Sequence, residues 1–182
     1  MARPDPSLLQ GVVAREVLDA MQIASAALKR AGVRHVVVGG LAVGANGFPR
    51  ATKDVDFLVG DEAFEQHPGG LVTLRPGVPF QVNRVAVDFI AAEASEGFLA
   101  AALEADAGSM IEGPPLVYMK LKSPRHEDRT DVIELVEAGL DVDQCRPTSL
   151  PTPRATATRR ASRIAGGRTR ASRDRATAAH VA

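Results

Sequence analysis

The chain has 182 residues, 45% of them apolar, with no Trp, one Tyr and six Phe, which suits one domain with an aliphatic core plus an appendage. Its apolar runs fall far short of a bilayer span and residues 1–10 lack the basic and apolar regions of a signal peptide, so no membrane partner and a cytoplasmic location are expected. A formal net charge of zero hides a split: residues 1–145 carry 13 Lys and Arg against 21 Asp and Glu, whereas residues 146–182 carry nine Arg against Asp174.

In chain order, Leu9, Val12, Val13, Val17, Met21, Ala24 and Leu28 recur at helical spacing, with Leu18 and Ile23 widening the stripe. One helix over residues 8–31 follows, capped by Asp5 or Ser7 and stopped at Gly32. Residues 35–38 read as a strand, and Gly39-Gly40 opens a short helix to about Ala45, ended by Asn46-Gly47. A second strand spans 53–59. Residues 61–66 suggest a short helix closed by His67-Pro68-Gly69-Gly70. Short strands follow at 71–74 and 78–82 around Pro76-Gly77, then a tight turn at Asn83-Arg84 and a strand over 85–90. A helix over 94–105 and a strand piece at 109–112 precede a helix opened by Pro114-Pro115, whose fixed φ suits a first turn. The last helix runs from about 125 to 138, burying Val132, Ile133, Leu135 and Val136, with Gly139 as its stop. Cys145 has no disulfide partner and no neighbours at metal-ligand spacing, and reads as a plain thiol.

Residues 146–182 are rich in Arg, Ala, Thr, Ser, Pro and Gly and poor in large apolar side chains. Such a segment cannot bury enough surface to offset its ordering entropy, so a disordered tail on a domain of residues 1–145 is expected. Clustered Arg would suit nonspecific contact with nucleic-acid phosphates; a solvated extension is the plainer reading.

Chemistry concentrates in residues 36–59, VVVGGLAVGANGFPRATKDVDFLV. On a strand alternate side chains share a face, so Asp54 and Asp56 stand side by side, roughly 6–7 Å apart at Cα. Nothing about folding asks for two adjacent carboxylates, and an all-oxygen pair suits a hard divalent cation such as Mg²⁺. Asp88 interrupts another apolar run, VAVDFI. Two residues without Cβ at a helix start, Gly39 and Gly40, let backbone N–H groups approach an anion.

These residues, with the segment LVYMKLKSPRHEDRTDVIELV at 116–136, resemble the nucleotidyltransferases of the DNA polymerase β superfamily, in the small bacterial branch that includes abortive-infection type toxins. The matching motifs are GG, about ten residues, R-x-T-x-D-h-D-h, then a K-L…R-x-x-D-x-x-D-h segment, together spanning residues 30–138. The resemblance implies an α/β (α+β) nucleotidyltransferase fold, a small mixed sheet flanked by helices. It implies Asp54, Asp56 and Asp88 as catalytic ligands of Mg²⁺ or Mn²⁺. It places Gly39, Gly40, Arg50, Thr52, Lys120 and Asp131 around an NTP, with Lys120 reaching phosphate. Lys122, about 200° round the helix from Lys120, is expected to point elsewhere. Arg125, Asp128 and Asp131 continue the motif, while His126 reads as a surface residue. The implied activity is transfer of an NMP to a hydroxyl acceptor, with tRNA or a protein favoured, and a separate antitoxin as a further implied partner. Two other readings stand beside it: a non-catalytic binding module of the same fold, and a nucleic-acid binder acting through the Arg-rich tail.

Overall fold

The structure, a computed structural model, describes residues 3–93 and 95–145. The expected Arg-rich tail lies outside the described residues. A turn of 3-10 helix at Pro6–Leu9 is capped by Asp5, whose carboxylate accepts the Ser7 N–H at 2.9 Å, and helix α1 (Arg15–Arg30) follows. The single helix expected over 8–31 is thus broken. Gly11 sits at φ 77°, which no helix permits, yet the apolar spacing continues because Leu9 and Val13 pack into the same core as Val17, Ala20, Ala24 and Leu28. Ile23 and Val12 face solvent, so the buried stripe is narrower than the sequence suggests.

Strand β1 (His35–Val37), helix α2 (Gly39–Ala45) and strand β2 (Val55–Val59) come next. Asp54 therefore lies just ahead of its strand. The helix expected at 61–66 is a correction: Asp61–Ala63 forms a 3-10 turn and Phe64–Gln66 forms β3, antiparallel to β4 (Val72–Leu74). The neighbouring strand β4 takes up the backbone groups of residues 64–66 that a helix would have paired internally. Strands β5 (Gln81–Val82) and β6 (Val85–Ala91) join through Asn83 and Arg84 at φ 49° and 69°, a two-residue turn whose twist matches a hairpin. Helix α3 (Gly97–Ala102) is shorter than expected, and the segment at 109–112 contributes one bridge, Met110 to Val37. Helices α4 (Gly113–Lys122), with prolines in its first turn, and α5 (His126–Glu137) complete the described chain. Among the described residues, no helix is long and apolar enough to cross a membrane.

The strands form a mixed sheet in the order β1-β2-β6-β5, β2 and β6 parallel and the other pairs antiparallel, beside the separate β3-β4 ribbon. This is the expected α+β class, a small mixed sheet flanked by helices. Strand alternation divides the core in two. Val37, Val55, Phe57, Val59, Val85 and Val87 pack with α1, whereas Val36 and Leu58 pack with Leu99 of α3, Leu116 and Val117 of α4 and Leu135 of α5. Residues 56, 88 and 90 share the parity of Leu58 and belong to this second face.

Helix α5 departs most from the sequence expectation. It buries Asp128, Asp131 and Leu135, while Ile133 is 58% exposed and Val136 is also exposed. Spacings of three and four residues put the buried trio on one stripe. Apolarity alone selects the wrong stripe, because the cations that make two buried carboxylates tolerable come from other elements.

Candidate active site

The carboxylates come together through the parallel β2-β6 pair. Asp56 stands directly opposite Asp88, which strand spacing puts about 4.8 Å away at Cα, and Asp54 lies two residues earlier, just ahead of the strand and close enough for its charge to act on Asp56. Asp56 is mostly buried and its carboxyl is pushed up to about 6, by burial first and then by the charges of Asp54 and Asp88, with Lys120 and Arg125 pulling the other way. Asp54 and Asp88 are exposed. The Thr52 hydroxyl donates to Asp54 Oδ1 at 2.8 Å.

Gly39 begins α2 at φ 63°, and a Cβ there would collide with the Asp56 carboxylate. Only glycine meets both demands, so its backbone lies against the carboxylate. A Cβ on Gly40 would stand 2.9 Å from Thr52 Oγ1, so that glycine lets the loop carrying Arg50, Thr52 and Asp54 close over the helix start.

Behind this loop lies a buried ionic cluster. Arg50 donates from Nε and Nη2 to the two oxygens of Asp131 at 2.8 and 2.9 Å. Lys120, 5% exposed, donates to Asp128 Oδ1 at 2.6 Å and Asp131 Oδ2 at 2.8 Å. Arg125 Nε donates to Asp128 Oδ2 at 2.8 Å. Burial would raise both carboxyls, but the bonds from Lys120, Ser123 and Arg125 to Asp128, and from Arg50 and Lys120 to Asp131, hold them below the usual range.

A cleft of about 520 Å³ opens between the second face of the sheet and helices α3 to α5. Gly39 and Asp56 line one end; Ile90, Leu99, Leu116 and Met119 give it an apolar wall; Lys120, Lys122, Arg125 and Asp128 form a charged one. The volume is that of an ordinary small-ligand pocket. Asp54, Asp88, Gly40, Arg50, Thr52 and Asp131 are not in its lining: the first two act on Asp56 through charge, and the others brace the loop and Lys120. Lys122, expected to point away, lines the cleft together with Lys120. The cleft wraps the last turn of α4, so side chains on both sides of that turn reach it.

Sequence reasoning did not single out Glu96, which is buried in the cleft wall. It accepts from the Glu93 N–H at 2.8 Å, Tyr118 Oη at 3.1 Å and Lys122 Nζ at 2.9 Å. Its signal was hidden because its partners are scattered over 29 positions of sequence. His126 is exposed, as the sequence suggests.

The donor set suits a hard divalent cation in kind: three neighbouring carboxylates, the central one raised in pKa by burial and then by the charges of the other two. Among the described residues, no three acidic, His or Cys side chains already stand gathered as a ligand set, so binding would have to draw Asp54 and Asp88 toward Asp56.

No protein-family model matches the chain and no curated protein matches it. Among solved structures the chain is similar to an antigenic nucleotidyltransferase-like protein from Paracoccidioides brasiliensis, with a TM-score of 0.41 and 14% identity over 70% of this chain and 77% of that one.

Proposed function

We propose that this chain is a nucleotidyltransferase that moves an NMP from an NTP to a hydroxyl acceptor, with Asp54, Asp56 and Asp88 holding Mg²⁺ or Mn²⁺. The observation that carries the reading is the Asp56-Asp88 register across parallel strands, which sets a second carboxylate beside Asp56 at the end of a cleft whose charged wall carries Lys120, Lys122 and Arg125. Folding gains nothing from it, since like charges this close cost stability.

The bound cation would supply charge neutralisation for the triphosphate and acidify the acceptor hydroxyl. The chain's own residues do the rest. Gly39 leaves room for the Asp56 carboxylate against the start of α2. Asp88 would take the acceptor proton. The apolar wall of Ile90, Leu99, Leu116 and Met119 suits a nucleoside and excludes water from it. Arg50, Lys120 and Asp131 fix the loop that presents Thr52 and Asp54.

Label transfer from each of the four α-³²P NTPs, with tRNA and cell protein as separate acceptor arms, tests the reading. Transfer that needs divalent cation and disappears in Asp54→Ala/Asp56→Ala is the expected result, and the labelled arm names the acceptor class. Neither transfer nor cation-dependent NTP binding by the wild-type chain would overturn it and leave a non-catalytic module.

A further inference from the structure

The cations around the cleft are unequal, and counting their donors separates them. Lys120 has three N–H groups, two of them bound to Asp128 and Asp131 inside the protein. Lys122 is matched by two carboxylates, Glu93 at 2.7 Å and Glu96 at 2.9 Å. Arg50 gives its fork to Asp131 and does not line the cleft.

Arg125 differs on every count. Its side chain is 72% exposed and lines the cleft. Nε is held by Asp128 at 2.8 Å, the Nη2 contact to the same carboxylate is long at 3.5 Å, and Nη1 meets no partner among the described residues. One edge of the guanidinium is anchored and the other is open. Within the hydrogen-bonded cluster the cations Arg50, Lys120 and Arg125 outnumber the carboxylates Asp128 and Asp131 by one, with the charges of Asp56 and Glu127 acting on Arg125 from outside it. Arg125 is where that surplus meets solvent, and its charge and that of Asp56 act on each other.

Resting on the nucleotidyltransferase reading, we propose that Arg125 is the side chain that binds the triphosphate of the nucleotide. Asp128 is the positioning residue that turns its open edge into the cleft, and Lys120 is the buried brace that fixes Asp128. A planar fork with free parallel N–H groups fits phosphate oxygens better than an ammonium already committed to two carboxylates.

The test is calorimetric binding of NMP, NDP and NTP with Mg²⁺ to the full chain, wild type against Arg125→Gln, Arg125→Lys, Asp128→Asn and Lys120→Met. Arg129→Gln, an exposed site on helix α5 one turn beyond Arg125, controls for net charge. Wild-type affinity should climb with phosphate number. Arg125→Gln should weaken NTP binding by about tenfold or more while leaving NMP within about twofold, flattening the series, as expected for loss of a charge-assisted contact. Arg125→Lys should recover part of the slope, Asp128→Asn should flatten it partially, and Arg129→Gln should match wild type. Because Arg125 is exposed, its variants should fold.

An unchanged NTP-to-NMP ratio in Arg125→Gln would overturn the inference and leave the nucleotidyltransferase reading standing. So would a folded Lys120→Met that flattens the series more than Arg125→Gln does, since loss of a brace alone should flatten it no further than Asp128→Asn and a larger effect assigns the contact to the lysine. A wild-type chain that binds no nucleotide would remove the reading and the inference together.

Discussion

The two faces of one sheet follow opposite rules. Toward α1, Val55, Phe57 and Val59 meet Val17, Ala20, Ala24 and Leu28 in a dry aliphatic layer. Toward α4 and α5, Leu58 meets Leu99, Leu116 and Leu135, but Asp56 and Asp88 share that face, and Lys120, Asp128 and Asp131 are buried there as ions. The first face is what burial of apolar surface favours. The second costs desolvation that its ion pairs only partly return, so stability does not explain it. A strand period of two lets a protein keep an ordinary core and an expensive site one residue apart.

Substitutions on each face test this contrast, and the largest effect belongs to the apolar one. Phe57→Ala, which empties a fully buried site, should cost about 3–5 kcal/mol in chemical denaturation. A cost near 1 kcal/mol would show that the α1 face is loosely packed. On the other face, Lys120→Met should cost about 3 kcal/mol, because Asp128 and Asp131 would stay buried with less compensation. A neutral result would break the contrast by showing that the cluster is open to water.

Asp56→Asn should act in the opposite sense, raising stability near pH 7.5 by about 1–2 kcal/mol while abolishing the transfer proposed above. The sign follows from a carboxyl raised to about 6: the folded state holds its proton more tightly, so stability declines as pH rises from about 4 through 6. Denaturation midpoints against pH should show that decline in wild type and a flatter profile in the variant.

The smallest effect is back on the α1 face. His35 is buried, with Nδ1–H donating to the Val33 carbonyl at 2.8 Å and Nε2 accepting from Ser25 Oγ at 2.8 Å, and burial lowers its pKa. Its neutral form is the folded one, so stability should fall slightly as pH drops below about 6.5. Loss of that acid-side slope in His35→Gln would assign it to this ring. The sharpest sign of the two-face division would be opposing slopes, with Asp56 favouring acid and His35 opposing it.

The carboxylates were legible because an Asp inside an apolar run stands out and the family resemblance adds Asp88 to the Asp54 and Asp56 pair, whereas the place of Asp88 opposite Asp56 rests on the β2-β6 register. Gly39 was legible as a close approach, though its partner, Asp56, was not. The break at Gly11 was hidden because Leu9 and Val13 keep helical spacing across it. The stripe of α5 was misjudged toward Ile133 and Val136 because hydropathy cannot see Arg50 and Lys120 arriving from other elements to neutralise Asp128 and Asp131. The same blindness concealed Glu96 and the cleft-facing Lys122.

The parallel pairing of β2 with β6 also bears on how the chain matures. The hairpin β5-β6 closes across two residues and needs nothing distant, whereas β6 reaches β2 only after a loop of more than twenty residues has been drawn shut. Non-local pairings of this kind form late and slowly. Asp56 and Asp88 become neighbours at that step, so a nascent or partly unfolded chain carries the individual carboxylates without the site, and any activity that depends on their meeting reports completed folding.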